Sequence, residues 1–397
     1  MAHVPLRVAW FGHAAGRRAD GLSSYSAQMV SALRRRGAEV LFFADAHDGE
    51  HSPSPATVWS QALHFKTVTL PVPGTARRVA SELEGFDPDV VHISLNHSLL
   101  DACVVEHARA SGIPTVVTVH LPYARARSGR DRVLRALYRF HRRALVSADR
   151  CVALSEDQRA VLLGIGCEPG RIDVIPNAVD ATGITPGASR LRSTLRAAFV
   201  VAYVGRLDPE KRVADLVRAF REAGWPDDHH LVIAGTGTRE GQVRRLAADD
   251  DRVHVLGAIH DRDECIDLLR GADVFVLPST AEGLSLSLLE AMAAGCAVIA
   301  TDVGDDGAAV GDSGIRLPAG RLEPALSEAL QRLRGDADLR RALGSRARAR
   351  VRAQYSLDVR VTQLWATYAA LSGDTPVTTN ERRFQQATAP AAHAIQG

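Results

Sequence analysis

The stretch ADVFVLPSTAEGLSLSLLEAMAAGCAVIATD, residues 272–302, contains two short apolar runs joined by a helical pattern. The runs DVFVLP (273–278) and AVIATD (297–302) have the length and composition of buried strands. The residues between them are mostly small and apolar, as is required of a helix that packs tightly on a sheet. The stretch therefore predicts a β-α-β unit with two parallel strands.

Strand and helix signals alternate in the same way along most of the chain, in two successive series. The first series has strand-like runs at RVAWFG (7–12), AEVLFFA (38–44), DVVHIS (89–94), PTVVTVH (114–120) and DRCVALS (149–155). After a segment rich in proline, glycine and polar residues (173–190), the second series begins with AFVVAYVG (198–205), HLVIAG (230–235) and RVHVLG (252–257). This alternation predicts an α/β protein with two doubly wound, Rossmann-like domains, whose ligands bind beyond the carboxyl ends of the strands.

The same pattern sets the expected domain limits. We place the first domain at residues 1–178 and the second at residues 179–355. The segment SLDVRVTQLWATYAALS (356–372) predicts an amphipathic helix that packs back onto the first domain. Residues 373–397 have too little patterned hydrophobicity to build a core, and we expect them to be disordered.

The overall composition is that of an ordinary soluble protein. Of the 397 residues, 46% are hydrophobic and 24% are charged, and the net charge of +2 gives no indication of nucleic-acid binding. The five cysteines are scattered and form no C-x-x-C pair, which favours free thiols in a reducing compartment over a disulfide framework. No apolar stretch reaches the roughly 18 residues of a spanning helix. We therefore expect a cytoplasmic protein.

Two cations follow the first strand of the second series. In VGRLDPEKRVADLVRAF (204–220), Arg206 and Lys211 lie in the loop between that strand and a helix that is predicted to begin near Val213. A guanidinium, an ammonium and the free N–H groups of a helix start together favour binding of a diphosphate. The alternative is a solvated turn with ordinary surface charges.

The loop after DVFVLP carries a second candidate site. Gly283, Ser285 and Ser287 are small enough to let a ligand approach the backbone N–H groups at the start of the following helix. Glu282 precedes this helix, and Glu290 lies about one turn inside it, where its carboxylate can accept hydrogen bonds from a pair of hydroxyls. The alternative makes Glu282 a helix-start charge and Glu290 a surface residue.

Four segments, taken in order, resemble a known family. PDVVHIS (88–94), VIPNAVD (174–180), VGRLDPEK (204–211) and the 272–304 stretch look like a family 4 retaining glycosyltransferase of GT-B fold, over roughly residues 7–370. The resemblance implies two facing Rossmann-like domains with a cleft between them. It also implies that the second domain binds a nucleotide-sugar donor, that the first domain binds a hydroxyl acceptor, and that no metal or other cofactor takes part.

The resemblance assigns roles to the residues of the second domain. Arg206 and Lys211 match the pair that neutralises the donor diphosphate, and Glu290 matches the glutamate that binds the ribose hydroxyls. Glu282 matches a catalytic-site glutamate that contacts the transferred sugar. The backbone that holds sugar and phosphate corresponds to Gly283, Leu284, Ser285, Leu286 and Ser287.

Further candidates lie elsewhere in the cleft. His120 matches a histidine of the first domain that reaches the transferred sugar, and Gly21 matches a loop that approaches donor phosphate and acceptor. Loops near Gly235 and Ile259 are expected to contact the nucleobase, although they do not distinguish a UDP-, GDP- or ADP-linked donor.

The chain also departs from the family pattern in three places. DGLSS (20–24) stands where a Gly-Gly pair is common, PNAVD (176–180) replaces a frequent Pro-Asn-Gly, and the segment 300–320 lacks the usual bulkier residues leading to a glutamate. These departures leave the contacts of those three loops open.

The stretch ARARSGRDRVLRALYRFHRRAL (124–145) is dense in arginine, with apolar residues between the charges. It predicts either a solvated outer helix with one buried stripe or a basic amphipathic helix that touches anionic lipid or a phosphorylated acceptor. The second interpretation would place the protein at the inner face of the membrane. The acids of DPD (87–89) and ADDD (248–251) are interpreted as turn and loop acids, not as metal ligands.

Two other functions remain open at this point. A nucleotide-sugar 2-epimerase of the same architecture would form its product from the donor alone. A non-catalytic nucleotide-sugar binding protein would bind the donor tightly without turnover.

Overall fold

The computed structural model describes residues 5–12, 21–46, 57–65, 68–71, 74–95, 99–121, 129–320 and 322–372. The tail predicted at 373–397 and the beginning of the arginine-rich stretch lie outside these residues. The strands, in chain order, are β1 Arg7–Gly12, β2 Glu39–Ala46, β3 Thr57–Phe65, β4 Val68–Pro71, β5 Val90–Leu95, β6 Thr115–Val119, β7 Arg150–Ala153, β8 Ile172–Val174, β9 Phe199–Val204, β10 His229–Ala234, β11 Val253–Gly257, β12 Val274–Leu277, β13 Ala297–Thr301 and β14 Ile315–Leu317.

Helices connect these strands. They are α1 Gly21–Arg35, α2 Thr75–Phe86, α3 Leu99–Ala110, α4 Gly129–Ser147, α5 Glu156–Gly164, α6 Arg190–Leu195, α7 Val213–Glu222, α8 Glu240–Ala247, α9 Arg262–Gly271, α10 Leu286–Ala294, α11 Asp306–Val310, α12 Leu322–Gly335, α13 Ala337–Gln354 and α14 Leu357–Ser372. Short 3₁₀ turns occur at Pro169–Arg171 and Pro209–Lys211.

The strands form two separate sheets. The first has eight strands in the order β4-β3-β2-β1-β5-β6-β7-β8, and the second has six in the order β11-β10-β9-β12-β13-β14. The pairs are parallel except for β3 with β4 at one edge. In both sheets the strand order reverses beside the first strand of the series, as in doubly wound folds. The predicted α/β class with two Rossmann-like units is confirmed.

Apolar side chains pack on both faces of the first sheet. Along β1, Ala9 and Phe11 contribute to one core, whereas Val8 and Trp10 contribute to the other. Such alternation follows from the period of two residues along a strand. The second sheet and its helices share a single larger core.

The last helix, α14, contributes to the core of the first sheet. Leu357, Val361, Leu364 and Tyr368 are spaced as one face of a helix and are almost fully buried beside Trp10. The Tyr368 hydroxyl bonds Nδ1 of the buried His92 at 2.7 Å. The chain thus returns to its first sheet after completing the second.

Four strands did not emerge from the sequence pattern. The strands β3 and β4 lie at one edge of the first sheet, and β8 and β14, of three residues each, lie at the far edges of the two sheets. A run of three residues is too short to show a periodicity, which explains why β8 and β14 were not predicted.

Candidate functional site

The carboxyl ends of β9 and β12 bring the two predicted loops together. These strands are neighbours in the second sheet. Lys211, in the loop after β9, donates from Nζ to Oε1 of Glu282, in the loop after β12. The hydroxyl of Ser279 donates to the same oxygen at 2.6 Å. The Lys211 and Glu282 side chains are 12% and 11% exposed, so this ion pair is mostly shielded from water.

Backbone contacts fix the position of Lys211. It ends the 3₁₀ turn Pro209–Lys211, and the next residue, Arg212, takes a left-handed conformation with φ of 49°. Directly beside it, the backbone N–H of Thr280 donates to the carbonyl of Glu210 at 2.7 Å. The two loops are therefore joined by backbone as well as by the ion pair.

Arg206 lies in the same loop as Lys211 but is more exposed, at 62% of its side chain. Its guanidinium pairs with Asp208 and, at 3.2 Å, with Glu210. Burial by itself would raise the pKa of Asp208, but hydrogen bonds from Thr238 and the nearby Arg206 hold that pKa below its usual range. Because Thr238 follows β10, Asp208 also joins the loops after β9 and β10.

The segment 278–285, which we call the entry loop, leads from β12 into α10. Ser285 is the N-cap of α10, and its hydroxyl accepts from the N–H of Leu288 at 3.4 Å. The N–H groups of Leu286 and Ser287 belong to the first turn and have no partner inside the helix. Gly283 is exposed, with open space where a side chain would stand. The backbone at this helix start is thus accessible to a ligand, and the positive end of α10 favours an anion.

Three hydrogen bonds hold consecutive residues of the entry loop. The carbonyl of Gly283 accepts from the N–H of Asp305 at 2.9 Å, and the carbonyl of Leu284 accepts from the Asn177 side chain at 2.9 Å. The N–H of Ser285 donates to Oδ1 of Asp306 at 2.8 Å. Sequence reasoning noted VIPNAVD and the 300–320 segment as motifs, but it did not identify Asn177 or Asp306 as site residues.

Glu290 lies one turn into α10, with its side chain 16% exposed. Oε1 accepts from the guanidinium of Arg262, the first residue of α9, at 3.2 Å. Burial raises the pKa of Glu290, and the charge of Arg262 opposes that rise. Nothing in the sequence pointed to Arg262, because its contact with Glu290 depends on the packing of α9 against α10.

Three glycines mark the ends of neighbouring strands: Gly205 after β9, Gly235 after β10 and Gly257 at the end of β11. Gly235 has φ of 140°, and a Cβ atom there would lie 1.8 Å from the carbonyl oxygen of Gly205. Its N–H donates to the carbonyl of Gly257 at 2.6 Å. Ile259, in the loop that follows, packs partly against the core of the second sheet. The two residues predicted near the nucleobase therefore lie at one edge of this sheet.

The two candidates of the first domain lie on the other sheet. His120 directly follows β6, and Gly21 is the first residue of α1. The ring of Tyr25, one turn into α1, meets the His120 ring edge-on, with 4.6 Å between the centroids. The structure thus places His120 against the helix that Gly21 begins.

Behind His120, a buried histidine links several elements. The His92 ring stacks on Trp10 at 3.8 Å between centroids, and Nε2 lies 3.0 Å from the Thr118 hydroxyl. Burial, assisted by the proximity of His120, lowers the pKa of His92 well below its usual value. His92 is therefore a neutral, structural residue in the core beneath His120.

Within the residues that the structure describes, no three His, Cys, Asp or Glu side chains are grouped so that they could hold a metal ion. In the same part of the chain, every helix is too short or too polar to span a bilayer.

Two known protein families match the chain. Residues 19–182 match the family described as Glycosyltransferase Family 4, and residues 198–336 match the family described as Glycosyl transferases group 1. A GDP-mannose-dependent alpha-mannosyltransferase of Mycolicibacterium smegmatis is 31% identical over 370 residues, covering 88% of this chain and 93% of that protein. The chain belongs to glycosyltransferase family 4. The resemblance inferred from its motifs is thereby confirmed, and the protein is a glycosyltransferase.

Other members of the glycosyltransferase group are similar over most of the chain. A D-inositol 3-phosphate glycosyltransferase of Pseudarthrobacter chlorophenolicus is 30% identical over 319 residues, covering 72% of this chain and 75% of that protein.

Solved structures show the same fold. The sucrose-phosphate synthase of Thermosynechococcus elongatus superposes with a TM-score of 0.75 at 23% identity, covering 93% of this glycosyltransferase and 100% of that chain. HepE of Anabaena, solved with UDP-glucose, gives a TM-score of 0.72 at 16% identity, covering 92% and 100%. The predicted GT-B architecture is therefore confirmed.

Proposed function

We propose that this glycosyltransferase is a retaining, metal-independent enzyme that moves a sugar from a nucleoside-diphosphate sugar to a hydroxyl acceptor. The Lys211–Glu282 pair beside the open start of α10 carries this proposal. It presents a cation for a diphosphate and a carboxylate for sugar hydroxyls within one hydrogen bond of each other.

The charges at the site match those that develop during transfer. Breaking the bond between the anomeric carbon and the diphosphate leaves negative charge on the diphosphate and positive character on the carbon. In this proposal Lys211, Arg206 and the N–H groups at the start of α10 stabilise the departing diphosphate with little reorganisation. These donors would take the place of a metal ion.

In this proposal donor binding exchanges contacts that the described side chains make with one another. Lys211 moves from Glu282 to the diphosphate, and Glu282 accepts hydrogen bonds from the sugar hydroxyls instead. Oε2 of Glu290 accepts hydrogen bonds from the ribose hydroxyls, while Oε1 keeps its hydrogen bond from Arg262. Each carboxylate thus retains a donor throughout.

The first domain supplies the acceptor side. His120 contacts the ring of Tyr25, one turn after Gly21 begins α1. We place the acceptor hydroxyl near His120, with the hydroxyl proton leaving on the departing diphosphate as the new glycosidic bond forms on the same face of the sugar.

The relatives narrow the donors to be tested. One is named for GDP-mannose and another for D-inositol 3-phosphate, and the Anabaena structure contains UDP-glucose. We therefore rank GDP- and UDP-linked sugars before ADP-linked ones. The acceptor is a hydroxyl of a cyclitol, a glycan, a lipid carrier or a natural product.

Calorimetric titration with UDP, GDP and ADP tests the donor site. We expect one nucleotide to bind the native protein, and Lys211→Ala and Glu290→Ala each to weaken it by about 1–3 kcal/mol, as for a lost charged hydrogen bond. The exposed Arg341→Ala is the matched control and is expected to bind normally. Binding that ignores both substitutions would show that the donor lies elsewhere.

The reaction itself is tested with the sugar donor of the nucleotide that binds. Transfer to an acceptor with the anomeric configuration unchanged, measured by NMR and insensitive to EDTA, is the expected result. Product formed from the donor alone would indicate a 2-epimerase. Tight binding without turnover on any acceptor would indicate a binding protein.

Helix α4 suggests where the enzyme meets an anionic surface. Phe140 is 58% exposed between the exposed residues Arg139 and Arg143. We propose that this face contacts anionic lipid, since an exposed aromatic ring among cations suits a headgroup layer. Phe140→Ser is expected to reduce binding to phosphatidylglycerol vesicles. Equal sedimentation of the native and variant proteins with vesicles would contradict this.

A further inference from the structure

Asp306, the first residue of α11, is a carboxyl group with no exposed surface. Its Oδ1 accepts the 2.8 Å hydrogen bond from the backbone N–H of Ser285. Its Oδ2 is buried and has no hydrogen-bond partner among the described residues. Among the described residues, this fully buried carboxyl group therefore receives one hydrogen bond, from a neutral backbone N–H. A single neutral donor is too little to stabilise a buried negative charge.

The surrounding charges favour a proton on Asp306. Burial raises its pKa well above the usual range, and the negative charges of Glu282 and Asp305 act in the same direction. The Ser285 N–H and the charge of Lys211 oppose the rise, but Lys211 is bonded to Glu282. One ammonium cannot neutralise two neighbouring carboxylates, so the more buried of the two takes up a proton.

The hydrogen bond from Ser285 to Asp306 holds the N-terminal end of α10. Ser285 is the N-cap of α10, and the two N–H groups that follow it are those assigned to the donor diphosphate. Asn177 and Asp305 hold the two preceding carbonyls of the entry loop. Asp306 holds the last residue before the helix, and it thereby sets the direction of the free N–H groups.

We propose that Asp306 is a positioning residue that works as a neutral carboxylic acid. It fixes the Ser285 amide and so orients the start of α10 toward the donor diphosphate, without adding a second negative charge beside Glu282. This inference rests on the proposed function, because it places the diphosphate at α10. An ionised Asp306 would hold the same amide but would repel the incoming diphosphate.

Asparagine separates the neutral form from the charged one. It has nearly the shape of a protonated aspartate and keeps an oxygen that can accept from Ser285. We expect Asp306→Asn to bind the preferred nucleoside diphosphate within about threefold of the native affinity. Asp306→Ala leaves the Ser285 amide without its acceptor and is expected to weaken binding by at least about tenfold. Asp338→Asn makes the same side-chain substitution on the surface of α13 and serves as the control.

Each result of this titration decides something. If Asp306→Asn binds as poorly as Asp306→Ala, the negative charge is required and the neutral-acid role is wrong. If Asp306→Ala binds like the native protein, Asp306 does not position α10. If circular dichroism shows that Asp306→Ala is unfolded, the Asn variant decides alone, since the proposal requires it to bind normally. If the native protein binds no nucleoside diphosphate, the proposed function fails first and this inference fails with it.

Discussion

The ammonium of Lys211 and the carboxylate of Glu282 form an ion pair across the carboxyl ends of β9 and β12, although the two residues are 71 positions apart in the chain. Each charge neutralises the other at a position largely shielded from water. The pairing leaves neither charge unpaired. In the proposed function, donor binding replaces this contact.

The ion pair predicts a coupled loss of stability. Lys211→Met should lower the free energy of unfolding by about 1–3 kcal/mol, because it leaves the shielded Glu282 without its cation. The double variant with Glu282→Gln should lose less than the sum of the single variants, with a coupling energy of about 0.5–3 kcal/mol. Urea denaturation measures all three.

Arg341→Met is the control for this cycle, because its pair with Asp338 is exposed on α13. We expect it to change stability by no more than about 0.5 kcal/mol. Strictly additive losses for Lys211 and Glu282 would show that their contact does not contribute to the folded state.

Glu290 predicts opposite pH trends for stability and for binding. Burial raises the pKa of Glu290 in the folded state above that of an unfolded glutamate, which is about 4.3. Glu290 therefore stabilises the fold fully when the pH is below the unfolded pKa. This stabilisation is lost as the pH rises through the folded-state pKa. Nucleotide affinity should rise over the same window, since the ionised carboxylate is the better acceptor for ribose hydroxyls. Glu290→Gln should remove both trends.

Arg262 should determine the pH range over which Glu290 ionises in the folded protein. Its charge opposes the rise in the Glu290 pKa, so Arg262→Gln should move both transitions to higher pH. Arg244→Gln, which removes an exposed arginine from α8, is the matched control. Unchanged pH profiles in Arg262→Gln would show that Arg262 does not act through Glu290.

Tyr368 predicts how strongly α14 is fixed to the first sheet. Tyr368→Phe keeps the buried ring but removes the hydroxyl 2.7 Å from Nδ1 of His92. A buried ring nitrogen without a partner should cost about 1–3 kcal/mol of the free energy of unfolding. Val359→Ala, at an exposed position of the same helix, should cost less than about 0.5 kcal/mol. Equal stability of the two variants would contradict this role.

Gly235 predicts a steric requirement at the edge of the second sheet. Gly235→Ala would place a methyl group 1.8 Å from the Gly205 carbonyl oxygen, at a φ of 140° that alanine rarely adopts. We expect it to lose at least about 2 kcal/mol of stability and to bind nucleotide weakly. Gly241→Ala, within α8, should be neutral or should gain up to about 1 kcal/mol. Thermal unfolding compares the two, and tolerance of Gly235→Ala would mean that the loops can separate.

Much of the architecture could be predicted from the sequence because buried parallel strands are continuous apolar runs. FVVAYV, LVIA, VFVL and AVIAT are such runs, and they form all or most of β9, β10, β12 and β13. The edge strands β8 and β14 have three residues each, so the pattern gave no signal for them.

Some residues of the candidate site could likewise be predicted from the sequence, and others could not. Lys211, Glu282 and Glu290 stand in motifs that can be read along the chain. Arg262 and Asp306 join the candidate site only because α9 packs on α10 and because the start of α11 is hydrogen-bonded to the entry loop. Contacts of this kind depend on tertiary packing, which a linear pattern does not contain.

In the proposed function, Lys211 leaves Glu282 to hold the donor diphosphate. The most direct test of this exchange is the affinity of the native protein and of Lys211→Met for the preferred nucleoside diphosphate and for the matching monophosphate, by calorimetric titration. We predict that the native protein binds the diphosphate at least about tenfold more tightly, as expected for a charged hydrogen bond to the second phosphate, and that Lys211→Met loses this preference while binding the monophosphate normally. If Lys211→Met still prefers the diphosphate, Lys211 does not hold the second phosphate.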